Sequence, residues 1–186
     1  MVEDIFICVD VETAGPVPAQ YAMLSIGACL VYDTANSFYI EIKPDKPEVD
    51  PEALTISGLN MDELRITGVE PAAAMRTFAD WIAGVAPAPP SRPLLVAFNA
   101  PFDWMFINDY FHRYMGKNPF GHSALDIKAY FMGQMGVNWA DTSMQRISSF
   151  FLEERRLTHN ALRDARDQAE IFLKILKANP KFNVPE

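Results

Sequence analysis

The chain lacks the features of a membrane or secreted protein. None of the apolar runs in its 186 residues reaches the roughly 18 residues that a transmembrane helix needs. Its first residues show no basic region followed by an apolar stretch, so we expect no signal peptide. It has only two cysteines, Cys8 and Cys29, and both lie in apolar, strand-like runs. We therefore expect buried free thiols and a cytoplasmic protein.

Positive charge is also scarce. The chain has 16 lysines and arginines against 24 aspartates and glutamates, which gives a formal net charge of -8. This balance argues against a protein that coats nucleic acid through bulk positive charge. It does not exclude a nucleic-acid enzyme, because a carboxylate cluster that holds divalent cations counts as negative until the metals bind. Any affinity for a polyanion must then come from metals and local basic residues.

Apolar residues, in contrast, are plentiful. They make up 49% of the chain, which is enough for a globular protein with a full core. The proline-rich connection at residues 87–93 is too short to serve as an interdomain linker. We therefore expect one domain that spans residues 1–186.

The predicted elements are strands first and helices later. Strands are predicted at residues 5–13, 23–32, 37–43 and 94–98, with the first three joined as an antiparallel meander. A helix at about 70–83 precedes the fourth strand, and such a crossover indicates a parallel strand pair. A short helix is predicted to start at Asp50–Pro51 and to end at Gly58. Further helices are predicted at residues 102–115, 125–135, 142–152 and 160–177. The pattern predicts an α/β fold, in which helices cover both faces of a mixed sheet.

Two carboxylates end the first strand. Side chains alternate along a strand, so Asp10 and Glu12 point to the same side. Like charges that converge there repel each other, and they remain at low cost only if a cation neutralises them. The alternative is a strand whose solvent end merely happens to be acidic.

A third carboxylate, Asp103, follows the fourth strand. We expect Asn99 or Ala100 to cap the next helix and Pro101 to occupy its first turn. Asp103 would then project near the carboxyl end of the strand. Alternatively, it serves only to favour the helix dipole.

The last predicted helix carries Asp164 beside a face of alanines, namely Ala161, Ala165 and Ala169. Such a face lets a helix pack closely, and a carboxylate pressed against the interior needs a partner. A salt bridge to a neighbouring arginine is the alternative, although those arginines lie at other angles of the helix. His159 precedes this helix and can reach the same point, unless it is simply a solvated surface histidine.

These three motifs, in this order and spacing, resemble the DEDD exonuclease superfamily in its histidine-containing branch. The resemblance covers residues 5 to about 176, and the stretch from Asp10 to Gly15 is most similar to ribonuclease T and its relatives, which include the exonuclease subunit of DNA polymerase III. It implies an RNase H-like fold with a mixed five-stranded sheet. It also implies hydrolysis of nucleic acid from the 3′ end, with release of nucleoside 5′-monophosphates.

The resemblance further implies a role for each motif residue. Asp10 would bridge two divalent ions, Mg²⁺ or Mn²⁺, and Glu12 with Asp164 would complete the site that holds the nucleophilic water. Asp103 would support the second ion. His159 would be the general base. The partner would be the 3′ end of a single strand, and by analogy with ribonuclease T the chain would act as a homodimer.

Other positions are candidates for substrate binding, namely Thr13, Ala14, Ile56, Leu59, Asn99 and Phe102. By resemblance, Thr13 and Ala14 would offer backbone contacts to the terminal nucleotide. Ile56 and Leu59 would wedge against its base, although Ser57 stands where relatives often carry a histidine. Phe102, Trp104 and Phe106 are either base-stacking or core residues. Candidate phosphate contacts are Arg65, Lys128, Arg146, Arg155, Arg156 and Arg163.

Two other functions compete with the exonuclease. One is a non-catalytic nucleic-acid-binding module on the same fold, which the five intact catalytic positions argue against. The other is a phosphatase that acts on small nucleotides, which the motif order disfavours. A protein distinguishes RNA from DNA through contacts to the 2′-hydroxyl, and the sequence does not reveal such contacts. The match at Asp10 to Gly15 favours structured RNA ends or short single strands.

Overall fold

The computed structural model describes residues 3–87, 89–151 and 160–179 and contains one mixed sheet. Its strands are β1 (Glu3–Thr13), β2 (Met23–Leu30), β3 (Ser37–Glu41), β4 (Ser91–Ala97) and β5 (Ala124–Asp126), in the order β3-β2-β1-β4-β5. The β1–β2 and β2–β3 pairs are antiparallel, whereas β4 pairs parallel to β1 and β5 parallel to β4. The predicted meander and crossover are therefore confirmed.

Helices cover both faces of this sheet. They are α1 (Pro51–Ser57), α2 (Met61–Thr67), α3 (Pro71–Val85), α4 (Ala100–Met115), α5 (Ile127–Met135), α6 (Met144–Phe151) and α7 (Ala161–Lys177), with a 3₁₀ helix at Trp139–Asp141. In the part of the chain that the structure describes, no helix is both long and apolar enough to cross a membrane.

Alternation along β1 divides the core into two layers. Ile7, Val9 and Val11 pack with α3 and α4 on one face of the sheet. Phe6 and Cys8 pack on the other face, with α5, α6 and α7. Even-numbered residues of β1 therefore point toward α7, and Asp10 and Glu12 are among them.

Three features of the fold differ from the prediction. Residues 124–126 form β5, although a helix was predicted from residue 125, and α2 was not predicted at all. β5 is too short to show a strand period, and it forms through its pairing with residues 95–97 of β4. β4 also begins at Ser91 and contains Pro93. Pro93 is tolerated there because β5 pairs only further along, which leaves that side of β4 open.

Candidate active site

Asp10 and Glu12 lie half-buried near the end of the central strand β1. They share a side, as the period of a strand predicts. The β1–β2 register shifts between Glu12 and Thr13, so regular pairing ends directly after the second carboxylate. The apolar part of β1 thus holds both acidic side chains on a buried support.

The N-terminal turn of α7 lies directly on β2, because Gly27 leaves room for it. Gly27 pairs with Asp10 across the two strands, and a Cβ atom at this glycine would overlap the backbone of Ala161. The alanine face of α7, which includes Ala161 and Ala165, is fully buried as predicted. This close approach brings Asp164, which is 3% exposed, to Asp10. Carboxylate oxygens of Asp10, Glu12 and Asp164 lie within 4.8 Å of one another.

Asp103 contacts the backbone between the first two carboxylates. It lies in the first turn of α4 and is 4% exposed. Its Oδ1 accepts a hydrogen bond from the Val11 backbone N–H, at 3.1 Å. Asp103 therefore joins α4 to the carboxylate-bearing end of β1, next to the cluster of three.

The expected cap of α4 is supplied by another residue. Asn99 has a left-handed backbone (φ 67°), and its side chain makes no capping hydrogen bond. The Ala100 N–H is instead bound by Asp126 Oδ2, at 2.7 Å. Asp126 also caps α5 through the Ala129 N–H, so one carboxylate serves two helix starts. The exposed Asn99 side chain is left at the edge of the site.

Burial and mutual repulsion raise the pKa values of these carboxyl groups. Desolvation, followed by the nearby charge of Asp164, raises the pKa of Glu12 to about 7. Desolvation raises the pKa of Asp103 to about 8, against the effect of its hydrogen bond from Val11. The pKa of Asp10 is also raised, by desolvation and then by Asp103, Glu12 and Asp164. A hard divalent cation relieves this repulsion and prefers carboxylate oxygen, so the cluster fits such a metal.

This repulsion predicts how the metal-free protein responds to pH. Between about pH 4.5 and pH 8 the folded carboxyls hold protons that the unfolded chain has released, so rising pH destabilises the fold. We expect the free energy of unfolding to fall by about 1–3 kcal/mol across this range in EDTA. Mn²⁺ should restore it more strongly at the alkaline end. Urea denaturation at several pH values measures both effects.

The Glu12→Gln variant is the control for this prediction. It removes one titrating group, so its metal-free stability should depend less on pH than that of the wild type. A metal-free wild type whose stability stays level or increases over this range would contradict the expected repulsion.

Gln168 is a site residue that the sequence motifs did not single out. It lies one turn after Asp164 on α7 and is 3% exposed. Its Nε2 donates to Asp10 Oδ1 at 2.7 Å, and its Oε1 accepts from the Phe98 N–H at 2.8 Å. One amide thus fixes the orientation of Asp10 and ties it to the end of β4. Its place on the buried alanine side of α7 was the only available signal.

We expect the Gln168→Met variant to lose roughly 10-fold in activity and to need more metal, since partners of metal ligands contribute on this scale. Methionine has a similar volume but cannot orient Asp10. The measurements are the Mn²⁺ concentration for half-maximal activity and the increase in melting temperature on addition of Mn²⁺. Gln134→Met is a matched control, because the Gln134 amide donates to the Ile175 carbonyl at the opposite end of α7. Equal losses in both variants would contradict a specific role for Gln168.

Thr13 and Ala14 lie next to the cluster, but their polar groups are already used. The Thr13 hydroxyl donates to the Gly15 carbonyl at 2.9 Å. Ala14 is fully buried, donates its N–H to Ala22 and accepts from the Asp50 N–H. Backbone contacts from Ala14 to a nucleotide would require these bonds to open, so its role in substrate binding stays a prediction.

The apolar segment at α1 lies against this end of β1. Leu59 packs beside Ala14 in a small apolar cluster, whereas Ile56 is 48% exposed. Ile56 is therefore the more accessible of the two predicted base contacts. Phe102 is half-buried and packs on Phe106, which is fully buried in the core and so is not available for stacking on a base.

Most of the predicted phosphate contacts are engaged or lie outside the described residues. Arg65 pairs with Asp62, and Arg146 pairs with Asp141. Arg163 lines a surface cavity beside the β2–β3 turn. The described residues do not include Arg155, Arg156 or His159, so the predicted general base stays a prediction from sequence.

Fold and site together define the class of the protein. A mixed five-stranded sheet flanked by helices, with acidic side chains gathered at the end of its central strand, is the architecture of RNase H-like nucleases. A family model described as Exonuclease (RNase_T) matches residues 7–172. The chain therefore belongs to this exonuclease family, and it is a hydrolase and a 3′–5′ exonuclease.

One known protein is similar to this chain in sequence, and two solved structures are similar to it in fold. The 3′–5′ DNA exonuclease Cap18 of Escherichia coli is 42% identical over 179 residues, which cover 96% of this chain and 95% of Cap18. The nuclease domain of 3′hExo, a DEDDh family member bound to rAMP, has a TM-score of 0.79 at 14% identity and covers 99% of this chain and 97% of its own. The zinc-bound E. coli ExoI–ssDNA complex has a TM-score of 0.72 at 20% identity, over 96% of this chain and 42% of that one. The predicted family and RNase H-like fold are confirmed.

Proposed function

We propose that this exonuclease removes nucleotides one at a time from the 3′ end of single-stranded nucleic acid and releases nucleoside 5′-monophosphates. The observation that carries the proposal is the meeting of the Asp10, Glu12 and Asp164 carboxylates within 4.8 Å, in a chain of the exonuclease family. One domain, residues 1–186, would carry the whole activity.

The reaction adds the oxygen of water to phosphorus and breaks the bond to the 3′ oxygen of the preceding nucleotide. The phosphate therefore stays on the 5′ oxygen of the released nucleotide. Two Mg²⁺ or Mn²⁺ ions, held by Asp10, Glu12 and Asp164 and supported by Asp103, would supply the positive charge that this displacement needs. His159 would take the proton from the attacking water.

The buried surroundings of the cluster prepare it for this reaction. Gln168 orients Asp10, and Asp103 fixes the Val11 backbone between the two carboxylates of β1. Gly27 allows α7 to deliver Asp164 without displacing β2. Side chains held in this way need little rearrangement when metal and substrate bind.

DNA is the favoured substrate. The relative that is 42% identical across nearly the whole chain is named as a DNA exonuclease, which outweighs the short ribonuclease T-like stretch from Asp10 to Gly15. The test is to incubate the purified protein with Mn²⁺ and 5′-labelled single-stranded DNA or RNA of equal sequence. We expect a descending ladder that extends faster on DNA, with 5′-mononucleotides as the products.

Each competing function predicts a different outcome. A binding module would retain oligonucleotides but leave them intact. A phosphatase would release inorganic phosphate from mononucleotides and leave the oligonucleotides uncut. Internal cleavage products in place of a ladder would contradict the exonuclease mechanism.

Two further proposals concern the protein rather than the reaction. The free, buried Cys8 and Cys29 thiols support a cytoplasmic location.

The proposal of a homodimer rests on analogy with ribonuclease T alone. Light scattering after size-exclusion chromatography tests the homodimer, and a monomeric mass at working concentration would contradict it.

A further inference from the structure

The lysine of the first turn of α5 contacts two aromatic rings. The Lys128 ammonium is 4.3 Å from the ring centre of Trp139 and 5.9 Å from that of Phe98. Trp139 is 52% exposed, which is unusual for so large an apolar side chain, and the other two residues are half-buried. These three residues are named here the lysine–aromatic surface.

This surface is continuous with the cluster. Cys8 pairs with Val96 in the parallel β1–β4 register, so Asp10 lies level with Phe98 two residues further on. The Phe98 N–H binds the same Gln168 amide that holds Asp10. Lys128 follows in the first turn of α5, which begins directly after β5.

Lys128 is a cation without an acidic partner among residues 3–87, 89–151 and 160–179. Arg65 and Arg146, by contrast, are neutralised by neighbouring aspartates. In a chain of net charge -8, an unneutralised cation beside the candidate active site is suited to attract a polyanion. The exposed indole next to it offers a flat face that any base can stack on.

We propose that the lysine–aromatic surface binds the single strand on the 5′ side of the scissile phosphate. Trp139 stacks on an upstream base, while Lys128 pairs with the adjoining backbone phosphate. The direction rests on the predicted contact of Ile56 with the terminal base. The α1 segment packs with Ala14 and with Leu24 of β2, whereas Phe98 follows β4, and β2 and β4 flank β1 on opposite sides. A strand whose terminal nucleotide lies at α1 passes the carboxylates and leaves over α5. This inference rests on the proposed exonuclease function.

The test compares substrates of different length. A dinucleotide reaches the carboxylates but extends little beyond them, whereas a longer DNA strand covers the surface. In the Trp139→Ala and Lys128→Ala variants, KM for the longer strand should increase about 10-fold more than KM for the dinucleotide. Lys117→Ala is the matched charge control, because Lys117 is exposed just past the far end of α4. Equal changes for both substrates, or none for the longer one, would overturn the proposal.

A binding measurement separates this proposal from the proposed function. In an Asp164→Asn background, which should not cleave, binding of the longer strand should quench the fluorescence of Trp139, and Trp139→Tyr should retain more affinity than Trp139→Ala. Removing Lys128 should reduce the slope of log affinity against log salt by about 0.7. If the wild type cleaves no oligonucleotide, the exonuclease function is wrong, but this titration still measures whether the lysine–aromatic surface binds the strand. If Lys128→Ala leaves the salt slope unchanged, or the fluorescence responds only to a protein partner, the surface does not bind the strand.

Discussion

Replacing Asp10 by asparagine is expected to lower exonuclease activity by at least about 1,000-fold, because bound divalent ions supply several kcal/mol of charge stabilisation. Asparagine has almost the same shape, and its side-chain oxygen can still accept the hydrogen bond from Gln168. The change therefore removes charge from the cluster while leaving the packing in place. Single-turnover rates on labelled single-stranded DNA measure the loss.

The same variant should be more stable than the wild type in the absence of metal. The pKa of Asp10 is raised by burial and by three neighbouring carboxylates, so at neutral pH the metal-free fold must either take up a proton at Asp10 or bury its charge, and an amide avoids both costs. A melting temperature that increases while activity disappears separates a catalytic role from a structural one. Asp80→Asn, on the exposed side of α3, is the matched control and should change neither quantity. Near-full metal-dependent activity of Asp10→Asn would exclude Asp10 as an essential metal ligand.

Local periodicity explains why the cluster could be predicted in part. A strand period is sufficient to place Asp10 and Glu12 on one side, and a four-residue alanine repeat is sufficient to show which face of α7 is buried. Both patterns depend only on residues within one element. They place each acidic side chain on its own element, whereas the meeting of carboxylates from different elements was implied by the resemblance to the DEDD exonucleases.

The remaining features depend on contacts between distant elements. Gly27 resembles any other glycine of a strand until α7 is seen to lie on it. Gln168 resembles a polar residue of an amphipathic helix, and its function appears only when Asp10 and Phe98 are in place at its two ends. Asp126 was not recognised as a helix cap, because it ends β5 and β5 forms only by pairing with β4. Such roles cannot be found from local periods in a single sequence.

The His159→Ala variant is expected to lose at least about 100-fold in kcat, the lower end of the range for general acid–base catalysis. His159 immediately precedes Asn160, the N-cap of the helix that carries Asp164, and its role rests on the motif that these residues complete. An imidazole titrates near neutral pH, so the wild-type rate should decline on the acid side as this base is protonated. That decline should become weaker in the variant, and hydroxide should recover part of the rate at alkaline pH.

The sequence provides its own controls, since the chain has three histidines. His112 and His122 are exposed, so His112→Ala and His122→Ala should keep the activity and the pH profile of the wild type. The melting temperature of His159→Ala in Mn²⁺ should also remain close to that of the wild type, because a general base contributes to the reaction rather than to metal binding. If His159→Ala loses little kcat and its rate still declines at acid pH as in the wild type, another group removes the proton. Among the described residues Glu12 would then be the first to test, since its pKa is raised to about 7.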